Sequence, residues 1–324
     1  MKAIIYEQYG PPEVLSLKEI DKPAPAQGQV LIRVQAASVN PYDWHFLRGT
    51  PGFLRLFTGL GKPKSPRLGA DVAGIVEAAG PGVTLFKPGD AVFGMCEGSF
   101  AEYACGKEKE LALKPESVPF PQAASLPIAA ITALQALRDI GKLQPGQSVL
   151  INGASGGVGT FAVQIARWMG AEVTGVCSTR NVELVRSLGA GRVIDYTREV
   201  FTTGAHRYDV IFDTVGNHSL GAIRRVLQPA GIFVACGGGG PDKSSIDLLM
   251  GMFQMAAAAP FTKQKLAGVF AKINTADLGV LGVMVATGKL TPVLDRSYPL
   301  AEIADATRYV ETGHARGKVI VAVA

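Results

Sequence analysis

The sequence predicts an α/β protein in two parts, an antiparallel β-rich part and a doubly wound parallel sheet. Three observations carry that expectation. The first third alternates short apolar runs with glycine and proline turns. From Pro127 onward, strand-like runs alternate with amphipathic helix-like runs, the texture of βαβ units. A glycine-rich turn joins one such strand directly to one such helix.

In the first third KAIIY, VLSLKEI, QVLIRVQAAS, GADVAGIVEAAG, DAVFG, FAEYACG and ELALKP read as strands of a small barrel or sandwich. PIAAITALQALRDIG then reads as a helix. SVLING, EVTGVC, RVIDY, YDVIFDTVG and IFVACGGGG are apolar enough to be buried on both faces, as parallel strands are. VGTFAVQIARWMG, NVELVRSLG and SLGAIRRVLQPAG read as the helices between them. The last stretch, VLDRSYPLAEIADATRYVETGHARGKVIVAVA, supplies a helix and a closing strand, and no internal repeat or low-complexity linker interrupts the chain.

A chain of 324 residues suits one large or two ordinary domains, and 48% hydrophobic with 18% charged residues suffices for a sizeable core. MKAIIYEQYG lacks the basic start and apolar core of a signal peptide. LPIAAITALQAL and LLMGMFQMAAAAPF are too short or too interrupted to span a bilayer, so a cytoplasmic protein without a membrane partner is expected. The net charge of +5 is spread over single Lys and Arg residues, which argues against nucleic acid and is compatible with an anionic cofactor. Cys96, Cys105, Cys177 and Cys236 form no C-x-x-C pair and read as buried, reduced thiols.

The most informative stretch is SVLINGASGGVGTFAVQIARWMG. Glycines let a backbone turn sharply and approach a pyrophosphate, whose charge the first N–H groups of the following helix receive. Strand, glycine turn and helix together form the dinucleotide-binding context, with Ser155, Gly156, Gly157 and Val158 as pyrophosphate contacts. After the second strand, CSTRN has no Asp or Glu for the ribose hydroxyls of NAD. Ser178 and Arg180 suit a 2′-phosphate instead, so NADPH is the expected cofactor. Tyr196 is placed to close over the adenosine end or to be a surface tyrosine. Val215, Gly237 and Gly238 follow later strands and are expected near the nicotinamide, while Asp213 caps the turn into the next helix.

One motif remains, SVNPYDWHFLRG, a polar-aromatic stretch holding one of four histidines. Together with MKAIIYEQYGPPEVL, GADVAGIVEAAGPGV, FKPGDAVFG, GSFAEYA, LPIAAITALQAL, NGASGGVG, CSTRN and GHARGKVIV, it resembles the medium-chain dehydrogenase/reductase superfamily. Within that superfamily it is most similar to the zinc-free quinone oxidoreductases and enoyl or alkenal reductases, a zeta-crystallin-like branch. The resemblance implies a GroES-like β-barrel catalytic domain over residues 1–126 and 290–324, and a Rossmann NADP-binding domain over 127–289. It also implies a homodimer through the Rossmann sheet edge, at KLAGVFAKI. Zinc-dependent relatives place a Cys where this chain has Asn40 and a His-Glu pair where it has Ala70-Asp71, and the cysteine-rich zinc lobe is missing. No metal is expected.

The chemistry so implied is that of an oxidoreductase passing hydride from NADPH to a quinone, or to the β-carbon of an α,β-unsaturated ketone or aldehyde. By resemblance Asn40 touches the nicotinamide end with Tyr42 close by, Thr132 contacts the nicotinamide, and Lys318 reaches the cofactor from the C-terminal return. His45 or Tyr42, or a water they hold, is the candidate proton donor; alternatively His45 only holds the loop. Asp43 and Trp44 read as architecture. Met250, Met252, Met255 and Phe261 would give the small apolar substrate an adaptable wall, or form a buried helix. Other readings are a zinc-free alcohol dehydrogenase-like enzyme, a reductase of carrier-bound enoyl thioesters, and a zeta-crystallin-like RNA-binding or structural protein.

Overall fold

The structure is a computed structural model and describes residues 1–236 and 262–323. The chain divides into two compact units, Met1–Ile131 with Lys272–Ala324, and Thr132–Ala271.

The first unit is built on antiparallel pairing. Its strands are β1 (Lys2–Ile5), β2 (Ser16–Glu19), β3 (Gln29–Val39), β4 (Asp71–Ala79), β5 (Ala91–Met95), β6 (Tyr103–Lys107) and β7 (Leu111–Leu113). The long β3 anchors them, pairing with β4 and β6, and its second half is buried on both faces. Two apolar clusters flank the sheet. One gathers Ile4, Val39, Leu47, Phe100, Val319 and Val321, and the other Val30, Ile32, Val72, Val76, Val92 and Leu111. Each such side chain contributes about 1.5–3 kcal/mol on leaving water.

The second unit is a six-stranded sheet whose neighbours all run parallel. It comprises β8 (Ser148–Asn152), β9 (Glu172–Cys177), β10 (Arg192–Asp195), β11 (Tyr208–Asp213), β12 (Leu227–Ala235) and β13 (Lys265–Gly268). The order is β10-β9-β8-β11-β12-β13, so strands are added in one direction from β8 and in the other from β11. Between β8 and β11 lies the switch point, where helices leave to opposite faces and a crevice opens at the strand ends. The first four residues of KLAGVFAKI form the outer strand, at the sheet edge where the resemblance puts this segment. SLGAIRRVLQPAG divides differently from its helical reading: the helix stops at Arg225, and LQPAG begins β12. A proline cannot continue the helix, and Leu227 already pairs with Tyr208.

The chain returns to the first unit with β14 (Leu294–Pro299) and β15 (Lys318–Ala322), parallel to each other, and β15 adds antiparallel to β3. The helix Thr275–Ala286 also belongs there, with Gly282 against Phe93 and Pro115. This differs from the sequence expectation, in which the cofactor domain runs to 289 and includes the helix. TADLGVLGVMVA is apolar nearly all round, so its periodicity does not say which sheet it covers. Among the described residues, no helix is long and apolar enough to cross a membrane.

Candidate active site

The glycine loop opens at the end of β8. Gly153 has φ +86°, and a side chain there would meet Thr214 Oγ1 at 2.3 Å. A Cβ on Gly159 would lie 2.0 Å from the Gly153 carbonyl oxygen. These two glycines let the helix Gly157–Trp168 start directly against the strand. Gly156 caps that helix without a side-chain hydrogen bond, and Ser155, Gly156, Gly157 and Val158 are only half-buried. First-turn N–H groups and the helix dipole thus converge on a place that suits an anion. Across the switch point Asn152 Nδ2 donates to Asp213 Oδ1 at 2.9 Å, and the same oxygen accepts the N–H groups of Val215 and Gly216. Asp213 thereby closes its own turn, while Ser219 caps the next helix. Val215 is exposed beside this turn. Gly237 and Gly238 lie outside the described residues, as do Met250, Met252, Met255 and Phe261.

At the end of β9, Asn181 Nδ2 donates to Ser155 Oγ at 3.0 Å and to Ser178 Oγ at 3.1 Å. Asn181 is buried, and its Oδ1 has no partner. Arg180 and Tyr196 are exposed. The nearby Asp195 carboxylate accepts from Thr179 and Thr197 and pairs with Arg198; these donors, Thr179 first, hold its pKa down. Sequence reasoning brings Ser155, Ser178 and Arg180 to this loop but misses Asn181, whose only signal is its place in CSTRN. A cradle that a Cβ would fill, an uncapped helix start and an orphaned buried amide oxygen together fit a dinucleotide. Thr132 is buried in the helix Pro127–Gln135.

In the first unit, sheet register assembles a second polar centre. Ser38 is opposite Asp71 across β3 and β4, and Val39 is opposite Val319 across β3 and β15. Asn40, Asp71 and Lys318 therefore meet at one end of the sheet. Lys318 Nζ lies 2.5 Å from Asn40 Oδ1 and 3.5 Å from Asp71 Oδ2. Asp71 Oδ2 also accepts from Ser38 Oγ at 2.7 Å and Asn40 Nδ2 at 2.9 Å, and Asp71 Oδ1 accepts the Ile128 N–H. Asn40 Nδ2 further donates to the Ser38 carbonyl, and Asp43 Oδ2 accepts the Asn40 N–H at 2.7 Å. All five side chains are buried. Burial pushes the Lys318 ammonium below its usual pKa and the Asp43 carboxyl up to about 8. The resemblance implies cofactor contacts for Asn40 and Lys318; here their polar atoms are committed to each other and to Asp71.

The helix Pro41–Arg48 carries the remaining candidates. Tyr42 and Asp43 line a pocket of about 500 Å³ within the first unit, along with the apolar Phe46, Phe57 and Met95 and the charged Arg67, Glu97 and Glu110. Burial, and secondarily the Asp43 charge, push the Tyr42 hydroxyl up to about 12, so it keeps its proton. His45 is not among the pocket residues. Its ring stacks on Trp44 with centroids 3.8 Å apart, and Nδ1 lies 2.8 Å from the Thr50 carbonyl oxygen. Burial holds the imidazole below its ordinary pKa. The four cysteines are free thiols, buried or half-buried.

Two family profiles match this chain, the alcohol dehydrogenase GroES-like domain over residues 26–116 and the zinc-binding dehydrogenase over 188–321. The NADPH-dependent alkenal/one oxidoreductase of Arabidopsis thaliana chloroplasts is 35% identical, over 99% of this chain and 79% of that one. A chloroplastic quinone-oxidoreductase homolog of Spinacia oleracea is 32% identical over 99% and 98%. The solved quinone oxidoreductase of Coxiella burnetii superposes with a TM-score of 0.85 at 31% identity, covering 100% and 99%. A GroES-like unit joined to a parallel dinucleotide-binding sheet defines a dehydrogenase/reductase of the medium-chain class. The chain belongs to the medium-chain dehydrogenase/reductase superfamily, in its zinc-free quinone and alkenal reductase branch.

The residues here do not fit the zinc of zinc-dependent relatives. Asn40 is no thiolate, Ala70 has no donor, and a buried ammonium already sits against Asn40 and Asp71. Among the described residues, no group of three His, Cys, Asp or Glu is arranged to hold a metal.

Proposed function

We propose that this protein is an NADPH-dependent reductase that passes hydride to a quinone, or to the β-carbon of an α,β-unsaturated ketone or aldehyde, without a metal. The observation that carries this is the Lys318–Asn40–Asp71 network, standing at the metal position of zinc-dependent relatives in a chain that keeps the dinucleotide loop. The likeness to alkenal and quinone oxidoreductases supports the acceptor class.

Bound NADPH supplies the hydride; the protein binds, orients and polarises. Gly157 and Val158 offer backbone N–H groups to the pyrophosphate, and Ser178 and Arg180 bind the 2′-phosphate. Tyr196 flanks the adenosine, while Val215, Gly237, Gly238 and Thr132 belong to the nicotinamide end. Tyr6, Phe46, Phe57 and Met95 hold a small apolar acceptor in the first-unit pocket. Negative charge then develops on the acceptor's carbonyl oxygen, and Tyr42, which lines the pocket, offers its hydroxyl as the hydrogen-bond donor to it. His45, with Nδ1 committed to Thr50 and its pKa lowered, holds the loop. Asn40 and Lys318, bonded to each other and to Asp71, are assigned by the family likeness to the nicotinamide end of the cofactor. The protein works in the cytoplasm as a homodimer joined at the β13 edge, where Phe270 is 79% exposed.

NADPH oxidation against a panel of quinones, enals and enones, with NADH in parallel and metal content assayed on the same sample, tests this reading. Turnover with at least one acceptor class, preference for NADPH and no stoichiometric zinc are expected. Inertness toward the whole panel rejects the reductase; equal use of NADH rejects the role of Ser178 and Arg180.

A further inference from the structure

We propose that Asn181 sets the preference for a phosphorylated dinucleotide by fixing the direction in which two serine hydroxyls donate; this rests on the NADPH reading above. A serine hydroxyl has one proton to give and two lone pairs to receive. The Asn181 amide donates to both Ser155 Oγ and Ser178 Oγ, at 3.0 and 3.1 Å. One lone pair on each oxygen is thereby filled from within the protein. Each hydroxyl's own proton is left to point away from Asn181. Ser155 and Ser178 are half-buried, so those protons can meet a ligand.

The two oriented O–H groups stand beside the helix start assigned above to the pyrophosphate and supply donors for a second phosphate. A hydroxyl donating to a charged phosphate oxygen makes a strong, short hydrogen bond. Asp195, opposite Cys177 on the neighbouring β10, spends its oxygens on Thr179, Thr197 and Arg198, which limits its repulsion of a phosphate. At 5% exposed, Asn181 stands behind the two serines and does not itself meet the ligand, so it acts by turning their hydroxyls toward the 2′-phosphate. It is a positioning residue, one step behind the groups that touch the cofactor.

The test is Asn181→Asp, which keeps the shape but replaces the amide donor by a carboxylate that accepts from both serines and turns their protons inward. Calorimetric titration of the full chain with adenosine 2′,5′-bisphosphate and with 5′-AMP reads binding without turnover. The native chain should prefer the bisphosphate by about tenfold or more, and Asn181→Asp should lose about 30-fold for the bisphosphate while 5′-AMP changes less than about threefold. The double variant Ser155→Ala with Ser178→Ala, which leaves Asn181 in place, should lose the preference as well. It decides the matter if Asn181→Asp does not fold. A native chain without preference for the bisphosphate overturns the NADPH reading and this proposal together. A preference that survives Asn181→Asp, or survives the double alanine variant, overturns the proposal alone. So does an equal loss of both ligands, the sign of a purely structural asparagine.

Discussion

Replacing Lys318 by Met removes the one ammonium that faces Asn40 and Asp71 but keeps most of the aliphatic stem. Asp71 retains Ser38 Oγ, Asn40 Nδ2 and the Ile128 N–H, so its carboxylate stays hydrogen-bonded but loses its counter-charge. Asn40 Oδ1 loses its donor outright. Lys318 is 3% exposed and Asp71 0%, so water cannot substitute for the missing charge. Breaking a buried pair from one side costs about 3–5 kcal/mol. For a unit of this size roughly 3 °C of Tm accompanies each kcal/mol, so the first unit's unfolding should fall by about 12 °C. Differential scanning calorimetry reads this, and dinucleotide binding, which we assign above to the glycine loop of the second unit, provides an internal control. Pairing Lys318→Met with Asp71→Asn removes both charges and should recover at least half of the loss. A drop below about 3 °C for the single variant, or no recovery in the double, refutes the buried charge pair.

The same geometry sets three further outcomes. Tyr42→Phe should lower kcat about 100-fold with NADPH affinity unchanged, the size expected for losing a positioned acid, whereas His45→Gln should leave kcat within about threefold; the reverse order reassigns the proton to His45. Gly159→Ala places a methyl 2.0 Å from the Gly153 oxygen, so NADPH binding, followed by fluorescence quenching, should fall at least about 100-fold while the first unit's melting is unmoved. The Asp43 carboxyl titrates at 3.8 when free and at about 8 in the fold. A raised folded pKa gives stability that is whole below the free value and drains as pH rises toward the folded one. Asp43→Asn, which keeps an acceptor for the Asn40 N–H, should therefore gain on the native chain across that window and no further above it. Urea midpoints below, within and above the window check this, and a pH-independent difference rejects it.

How far the sequence can be read depends on the range over which each feature is encoded. The strands β3 to β7 are legible because Gly and Pro bound each run, and the cofactor loop because strand, glycines and helix are contiguous from Ser148 to Trp168. The helix Thr275–Ala286 is legible as a helix but not as to its unit, since an all-round apolar segment carries no direction. The polar centre is the least legible. Ser38, Asn40, Asp71 and Lys318 come from three strands and their ends, and only the β15–β3–β4 register makes them neighbours. The resemblance alone gives Asn40 and Lys318 to the cofactor. The structure adds what no motif announces, that both Asn40 amide protons and its Oδ1 bond within the network, to Ser38, Asp71 and Lys318. Asn181 is hidden in the same way: its amide protons join two serines that lie 23 residues apart in the chain, a contact that CSTRN by itself does not announce.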